Sequence, residues 1–214
     1  MNLAASHLTA GDLCRGMTTD HARTKPADVR REELMDAALG LFVAKGIAAT
    51  SVDDIVTAAG VSKGGFYHHF ASKDALLMAL QARYVARFLS DLVEAQASLP
   101  ADDWQGRMNI WLETAINKFF AELQIHDVVF HEYAPAERKE MNQNPVVDHV
   151  EAFLKAGTAA GAWTVEQPRL LAVMLFNAVH GACDEVVLSP ELISRETLID
   201  TLQKFFWRVV APNP

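Results

Sequence analysis

An all-α fold is predicted, with a small three-helix unit at the N-terminus and a larger helical domain after it. Three observations predict it. Apolar residues recur three and four positions apart through most of the chain, the spacing at which helical side chains share a face. Glycine, proline and Ser/Asp/Asn capping residues stand between those stretches. Residues 50–73 read as two short helices about a tight glycine turn, and a long stretch free of glycine and proline follows.

Residues 1–26 lack helical or strand period and close at Pro26, so a flexible extension is expected, in which Arg23 and Lys25 could form an arm and Met17 could be the true start. A first helix is predicted over 27–45, burying Leu34, Ala38, Leu41 and Phe42, with Gly46 as its stop. Ile47 and Val52 then feed the same core. Ser51, or Thr50, caps the next helix, and Asp53 and Asp54 sit at its positive end. Val52, Ile55, Val56 and Ala59 share one face, and Gly60 supplies the left-handed residue that ends it. Val61 plugs the turn and Ser62 caps the following helix. Phe66 and Phe70, four apart, anchor that helix and leave Lys63, Gly64, Tyr67 and His68 facing outward.

A long helix is predicted over 73–96, with Leu76, Leu77, Leu80, Tyr84, Phe88 and Leu92 as its apolar stripe. Leu99, Pro100 and the two aspartates after them make a turn. The next helix, about 104–123, is unusually aromatic: Trp104, Met108, Trp111, Ile116, Phe119 and Phe120. A further helical piece is expected over 124–139 with an interruption near Pro135, then a helix from Asn144 and Pro145 to about Ala160, stopped by Gly161. The stretch 168–188 is apolar almost all round, so it should be buried on several sides. Ser189 and Pro190 break it, and a last helix over 194–210 carries Leu198, Leu202, Phe205, Phe206 and Val209. Two antiparallel helices of this kind, paired with their symmetry mates, would form a four-helix homodimer interface; covering a monomeric core is the other use for them.

The outward set on 62–70 suits DNA. Lys63 and the hydroxyls of Ser62 and Tyr67 can hydrogen-bond phosphate oxygens, which positions a helix without reading sequence. Gly64 and Gly65 let the backbone come close to a partner, although each costs about 1 kcal/mol against Ala in a helix. Lys73, after the capping Ser72, is a further candidate for phosphate, and Thr50, at the start of the first helix of the pair, is a candidate DNA contact. The predicted DNA contacts are therefore Thr50, Ser62, Lys63, Gly64, Gly65, Tyr67, His68 and Lys73. An ordinary helical hairpin with a wet polar face would show much of the same spacing.

From Arg31 to Leu77 the chain resembles the N-terminal domain of the TetR family of one-component transcriptional regulators. The matching residues are Ala37-Ala38, Leu41-Phe42, Lys45-Gly46, Thr50-Ser51-Val52, Asp54-Ile55, Ala58 through Gly64, Phe66 through Phe70, and Ser72 through Leu76. Beyond them only length and helical character agree. The resemblance implies a helix-turn-helix DNA-binding domain at 27–72 and an effector-binding and dimerisation domain at 73–214. It also implies a homodimer on a palindromic operator, a small-molecule effector that releases a repressor, no enzymatic activity and no required cofactor.

Composition is compatible with that reading. Half the residues are hydrophobic and 21% are charged, as in ordinary globular proteins. The longest apolar run, Leu170 to Phe176, is seven residues, far short of the roughly 20 that span a bilayer, so no membrane partner is expected. Cys14 and Cys183 suggest neither a disulfide framework nor a zinc knuckle, and a cytoplasmic location is expected. The net charge of -8 is awkward for a DNA binder, but residues 1–75 hold eight Lys/Arg against nine Asp/Glu, so the acidity lies mostly downstream. Modest non-specific affinity and reliance on a dimer follow.

A polar cluster punctuates the C-terminal half. Asp127 and His131 are four apart, as are His180 and Asp184, with Asn177 nearby. Such carboxylate and imidazole pairs could hold zinc or another divalent ion through Asp127, His131, His180 and Asp184. Alternatively they contact an effector, for which Trp111, His126, Phe130, His131, Asn177, His180 and Asp184 are the candidates, or they form a self-satisfied seam. A helical metal-dependent hydrolase is the rival function, but no nucleophile motif or phosphate loop accompanies these residues. A helical interaction protein without DNA contacts is the third reading.

Overall fold

The computed structural model describes residues 26–130 and 144–211, and among them it shows nine α-helices and no strand. They are α1 (Ala27–Lys45), α2 (Val52–Ala59), α3 (Lys63–His69), α4 (Lys73–Ala97), α5 (Trp104–Ala121), α6 (Leu123–Phe130), α7 (Pro145–Ala159), α8 (Pro168–Leu188) and α9 (Arg195–Val210). The all-α prediction holds. Helix boundaries follow the capping chemistry: Ser51, Ser62, Ser72, Asp103, Asn144 and Ser194 each accept a backbone N–H within the first turn they cap. Gly46, Gly60 and Gly161 take positive φ where helices end.

Two hydrophobic cores form. The first joins Leu34, Met35, Ala38 and Phe42 of α1 to Ile55, Phe66, Phe70 and the first half of α4, down to Tyr84. Met35 takes the buried place expected of Leu41, which is only partly covered. Val128 and Val129 of α6 also pack into this core, although they lie far along the chain. The second core gathers Leu92 of α4 with α5, α7, α8 and α9 around Leu112, Ile116, Leu154 and Phe206. α4 thus runs through both. At a rise of 1.5 Å per residue its 25 residues span roughly 38 Å.

Within the second core Trp163 is fully buried, and its indole N–H donates to the Leu154 carbonyl at 2.9 Å. A side chain at Gly157 would collide with its ring, so this glycine is there for close approach.

α8 differs from expectation. By length and composition it could cross a membrane, yet Ala172, Leu175, Val179, Cys183 and Val186 face the core. It is buried on one side only: Leu170, Met174 and Leu188 are 59%, 58% and 79% exposed, and Phe205 and Val209 of α9 are exposed with them.

Candidate functional site

The helix-turn-helix is locked by local hydrogen bonds. The Ser51 hydroxyl accepts the Asp54 N–H at 3.1 Å while the Asp54 carboxylate accepts the Ser51 N–H at 2.8 Å, a reciprocal capping box. That N–H first, then the Lys45 ammonium at 2.9 Å and the Ser51 hydroxyl, hold the Asp54 carboxyl well below the usual carboxylate range. Gly60 turns left-handed at φ 63°, and Val61 N–H closes back on the Val56 carbonyl at 2.9 Å. α3 is then pinned from below. Phe66 is fully buried, its ring meeting Tyr67 edge-on at 5.3 Å and Phe70 at 5.8 Å, and the Arg31 guanidinium lies over Phe70 at 5.1 Å.

Ser62, Lys63, Gly64, Tyr67 and His68 are exposed on α3 and its cap, on the side away from Phe66. Three expected contacts are used otherwise. Thr50 is buried and its hydroxyl donates to the Gly46 carbonyl at 2.8 Å, so its side chain has no route to a phosphate. The Lys73 ammonium donates to the carbonyls of Ile47 and Thr50 at 2.7 and 2.9 Å, tying α4 to the loop between α1 and α2. Gly65 is turned inward: a Cβ there would sit 2.6 Å from Val61 Cγ1. Gly64 has open space. Gly65→Ala is therefore expected to lower the melting temperature by displacing Val61, whereas Gly64→Ala should raise stability by up to about 1 kcal/mol through helix propensity. Thermal unfolding of the two variants checks the contrast; equal effects would mean that Gly65 has no packing role.

The Lys63 ammonium pairs with Asp53 of α2 at 2.9 Å, which raises its pKa. Sequence spacing hid this pair, because the turn brings together residues ten apart. Within α1, Arg30 and Arg31 face Glu33 and Glu32, and Lys45 at its end faces Asp54 of α2.

The second candidate site is a cavity of about 630 Å³ enclosed by α4, α5, α6, α8 and the start of α7. Trp111, His126, Phe130 and His180, four of the expected effector contacts, all line it. The imidazoles of His126 and His180 lie 5.4 Å apart, and His180 Nδ1 is 3.0 Å from the Phe176 carbonyl. Asn177 and Asp184 do not line it: Asn177 is exposed and its amide donates to the Val173 carbonyl at 2.8 Å. His131 lies outside the described residues. Of the proposed metal ligands, Asp127 points outward, more than half exposed, and Asp184 is away from the cavity. Among the described residues no group of three or more His, Cys, Asp or Glu side chains is placed to hold a metal, so metal binding is not supported. Tyr84, Phe88 and Phe176 line the cavity although their periodicity reads as core, and so does Phe119, from the aromatic stretch whose bulk favours core packing over ligand lining. α6 has two faces, with His126 and Phe130 on the cavity and Val128 and Val129 in the N-terminal core.

Residues 34–80 match the tetR family of bacterial regulatory proteins. The repressor KstR2 of Mycobacterium tuberculosis is 36% identical over 101 residues, covering 45% of this chain and 49% of that protein. The chain spans about half the length, or less, of the curated relatives it matches. Among solved structures, the fatty acid degradation regulator FadR of Bacillus halodurans shares the fold at a TM-score of 0.68 and 18% identity, over 82% of this chain and 93% of that one. A SmeT–triclosan complex does so at 0.66 and 20%, over 86% and 92%.

Proposed function

We propose that this chain, a member of the tetR family, is a homodimeric transcriptional repressor that holds a palindromic operator and lets it go when a small molecule fills the cavity. The observation that carries the reading is the outward face of α3, where Ser62, Lys63, Gly64, Tyr67 and His68 stand clear of a helix that Phe66 and Phe70 pin to its core. Lys63, Ser62 and Tyr67 meet phosphate, Gly64 allows close approach, and His68 reaches toward base edges. The exposed apolar face of α8 and α9 pairs with its copy in a second chain, which places two α3 helices on one side of the dimer.

Release works through α6 and α4. A ligand between α4, α5 and α8 presses on His126 and Phe130, and α6 carries Val128 and Val129 within the N-terminal core. Any shift of α6 is therefore felt by the unit that holds α3. The ligand releases DNA to the extent that it favours the spacing of the α3 helices that DNA does not. The hydrolase alternative is not favoured: among the described residues no group of three or more His, Cys, Asp or Glu side chains is placed to hold a metal.

The electrostatics set the affinity. Each Lys or Arg between residues 26 and 75 already has an acidic or carbonyl partner, so phosphate must compete for it. Asp53→Asn frees Lys63 and is expected to raise DNA affinity a few-fold, in line with the small worth of an exposed pair, and to steepen its salt dependence. Lys63→Ala should do the reverse, and Asp53→Asn added to it should change nothing more. Fluorescence anisotropy across a salt series checks this; equal gains in the presence and absence of Lys63 would remove the pair from the account.

Selection of bound DNA from a random pool tests the function. An inverted repeat should be enriched, and loss of enrichment with no alternative motif would overturn the reading.

A further inference from the structure

The cavity is walled by rings. On α4, Tyr84 stacks on Phe88 with centroids 6.3 Å apart and planes 13° from parallel. Tyr84 meets Phe130 edge-on at 5.8 Å, and His126 lies 4.9 Å from Phe130 and 4.6 Å from Phe119. Across from them, His180 lies 4.2 Å from Phe176. The rings come from four helices, so a guest is met by aromatic faces and edges from several directions. Flat aromatic guests gain most from such walls, because offset-stacked and edge-to-face contacts add to plain burial. A volume of about 630 Å³ suits a molecule of drug size.

The charge of the guest is constrained as well. Among the described lining residues the one carboxylate is the exposed Asp74, and the imidazoles of His126 and His180, not a permanently charged Lys or Arg, are the groups that could meet an acid. Burial first, and the Glu122 charge second, push the Tyr84 phenol up to about 12; the same surroundings oppose a negative charge on a ligand. A cation fares little better, since the described walls offer no carboxylate apart from Asp74 and a buried charge without a partner is costly.

We infer that the cavity takes an uncharged, planar aromatic molecule of several fused rings, held against the aromatic walls that α4, α5, α6 and α8 supply. This rests on the cavity being the effector site.

The test uses the full chain and four probes: pyrene-1-methanol, pyrene-1-carboxylate, (pyren-1-ylmethyl)trimethylammonium and 1-hexadecanol. Pyrene fluorescence and the shift in melting temperature report binding. The pyrene alcohol should bind saturably with a Kd at least about tenfold below those of the two charged pyrenes, the order expected when a charge must be desolvated. It should also outbind 1-hexadecanol. Phe176→Leu and Phe119→Leu, which remove a ring at similar volume, should weaken it severalfold, and Ala82→Trp, which fills the cavity from an exposed position of α4, should abolish it. Tighter binding of the carboxylate, the ammonium or the saturated alcohol, still blocked by Ala82→Trp, overturns the ligand class while the cavity stands as the binding site. Binding unaffected by Ala82→Trp, or no binding of any probe, overturns both.

Discussion

Phe66→Ala should destabilise the N-terminal core by about 3–5 kcal/mol, the usual cost of emptying a buried phenylalanine site, and should abolish DNA binding. The effect is large because α3 is too short to persist without its aromatic anchors. It is seven residues long and contains two glycines, and isolated helices of that length do not persist in water. Its position depends on Phe66, fully buried, and Phe70, nearly so. The loss should be local. All four tryptophans, at 104, 111, 163 and 207, report on the second core. Urea unfolding followed by circular dichroism should therefore begin well before the tryptophan signal changes, whereas the parent transitions lie closer together. Coincident transitions at unchanged midpoint would mean that Phe66 does not anchor the recognition unit.

Met174→Glu combined with Phe205→Glu should convert the protein to a monomer and weaken operator binding at least about 100-fold, the scale lost when linked sites no longer bind together. Both residues are half exposed or more in the single chain, so the substitutions leave the subunit core intact. In the dimer each would bury a carboxylate against apolar surface, which is costly without a partner. Sedimentation velocity reads the assembly state and anisotropy the affinity. A doubly substituted chain that stays dimeric would place the interface elsewhere.

The helix-turn-helix was legible because its signals are local. Ser51 followed by Asp54, the glycine at position 60, and phenylalanines four apart each fix a cap, a turn or a face within a few residues, and the structure places them as read. What stayed hidden depends on partners distant in sequence. Lys73 resembles a phosphate contact until the carbonyls of Ile47 and Thr50, more than twenty residues back, take its ammonium. Asp53 gives no hint that it neutralises Lys63. Asp127, His131, His180 and Asp184 satisfied a spacing rule, but spacing shows only that two side chains share a helix face. It cannot show which face looks into the cavity, and α6 and α8 turn Asp127 and Asp184 away. The expected arm at Arg23 and Lys25 and the ligand His131 lie outside the described residues. Tyr84, Phe88, Phe119 and Phe176 were visible only as apolar stripe residues, since a cavity wall and a packed core have the same periodicity. α8 read as buried on several sides because its sequence includes the face a second chain would cover.

The separation of the two recognition helices in a DNA-bound dimer can be measured. Cys183 is buried, with its thiol pushed up to about 12 by that burial and then by Asp184, so it does not compete for a thiol label at neutral pH. With Cys14→Ser and a spin label at Ala71→Cys, an exposed position just after α3, pulsed dipolar spectroscopy measures the separation of the two copies. On the selected operator the two labels should show a narrow distribution near one helical turn of DNA, about 34–36 Å, or a multiple of it. Absence of any inter-subunit coupling, or a distribution that DNA leaves unchanged and broad, would contradict a dimer that holds its operator through both α3 helices.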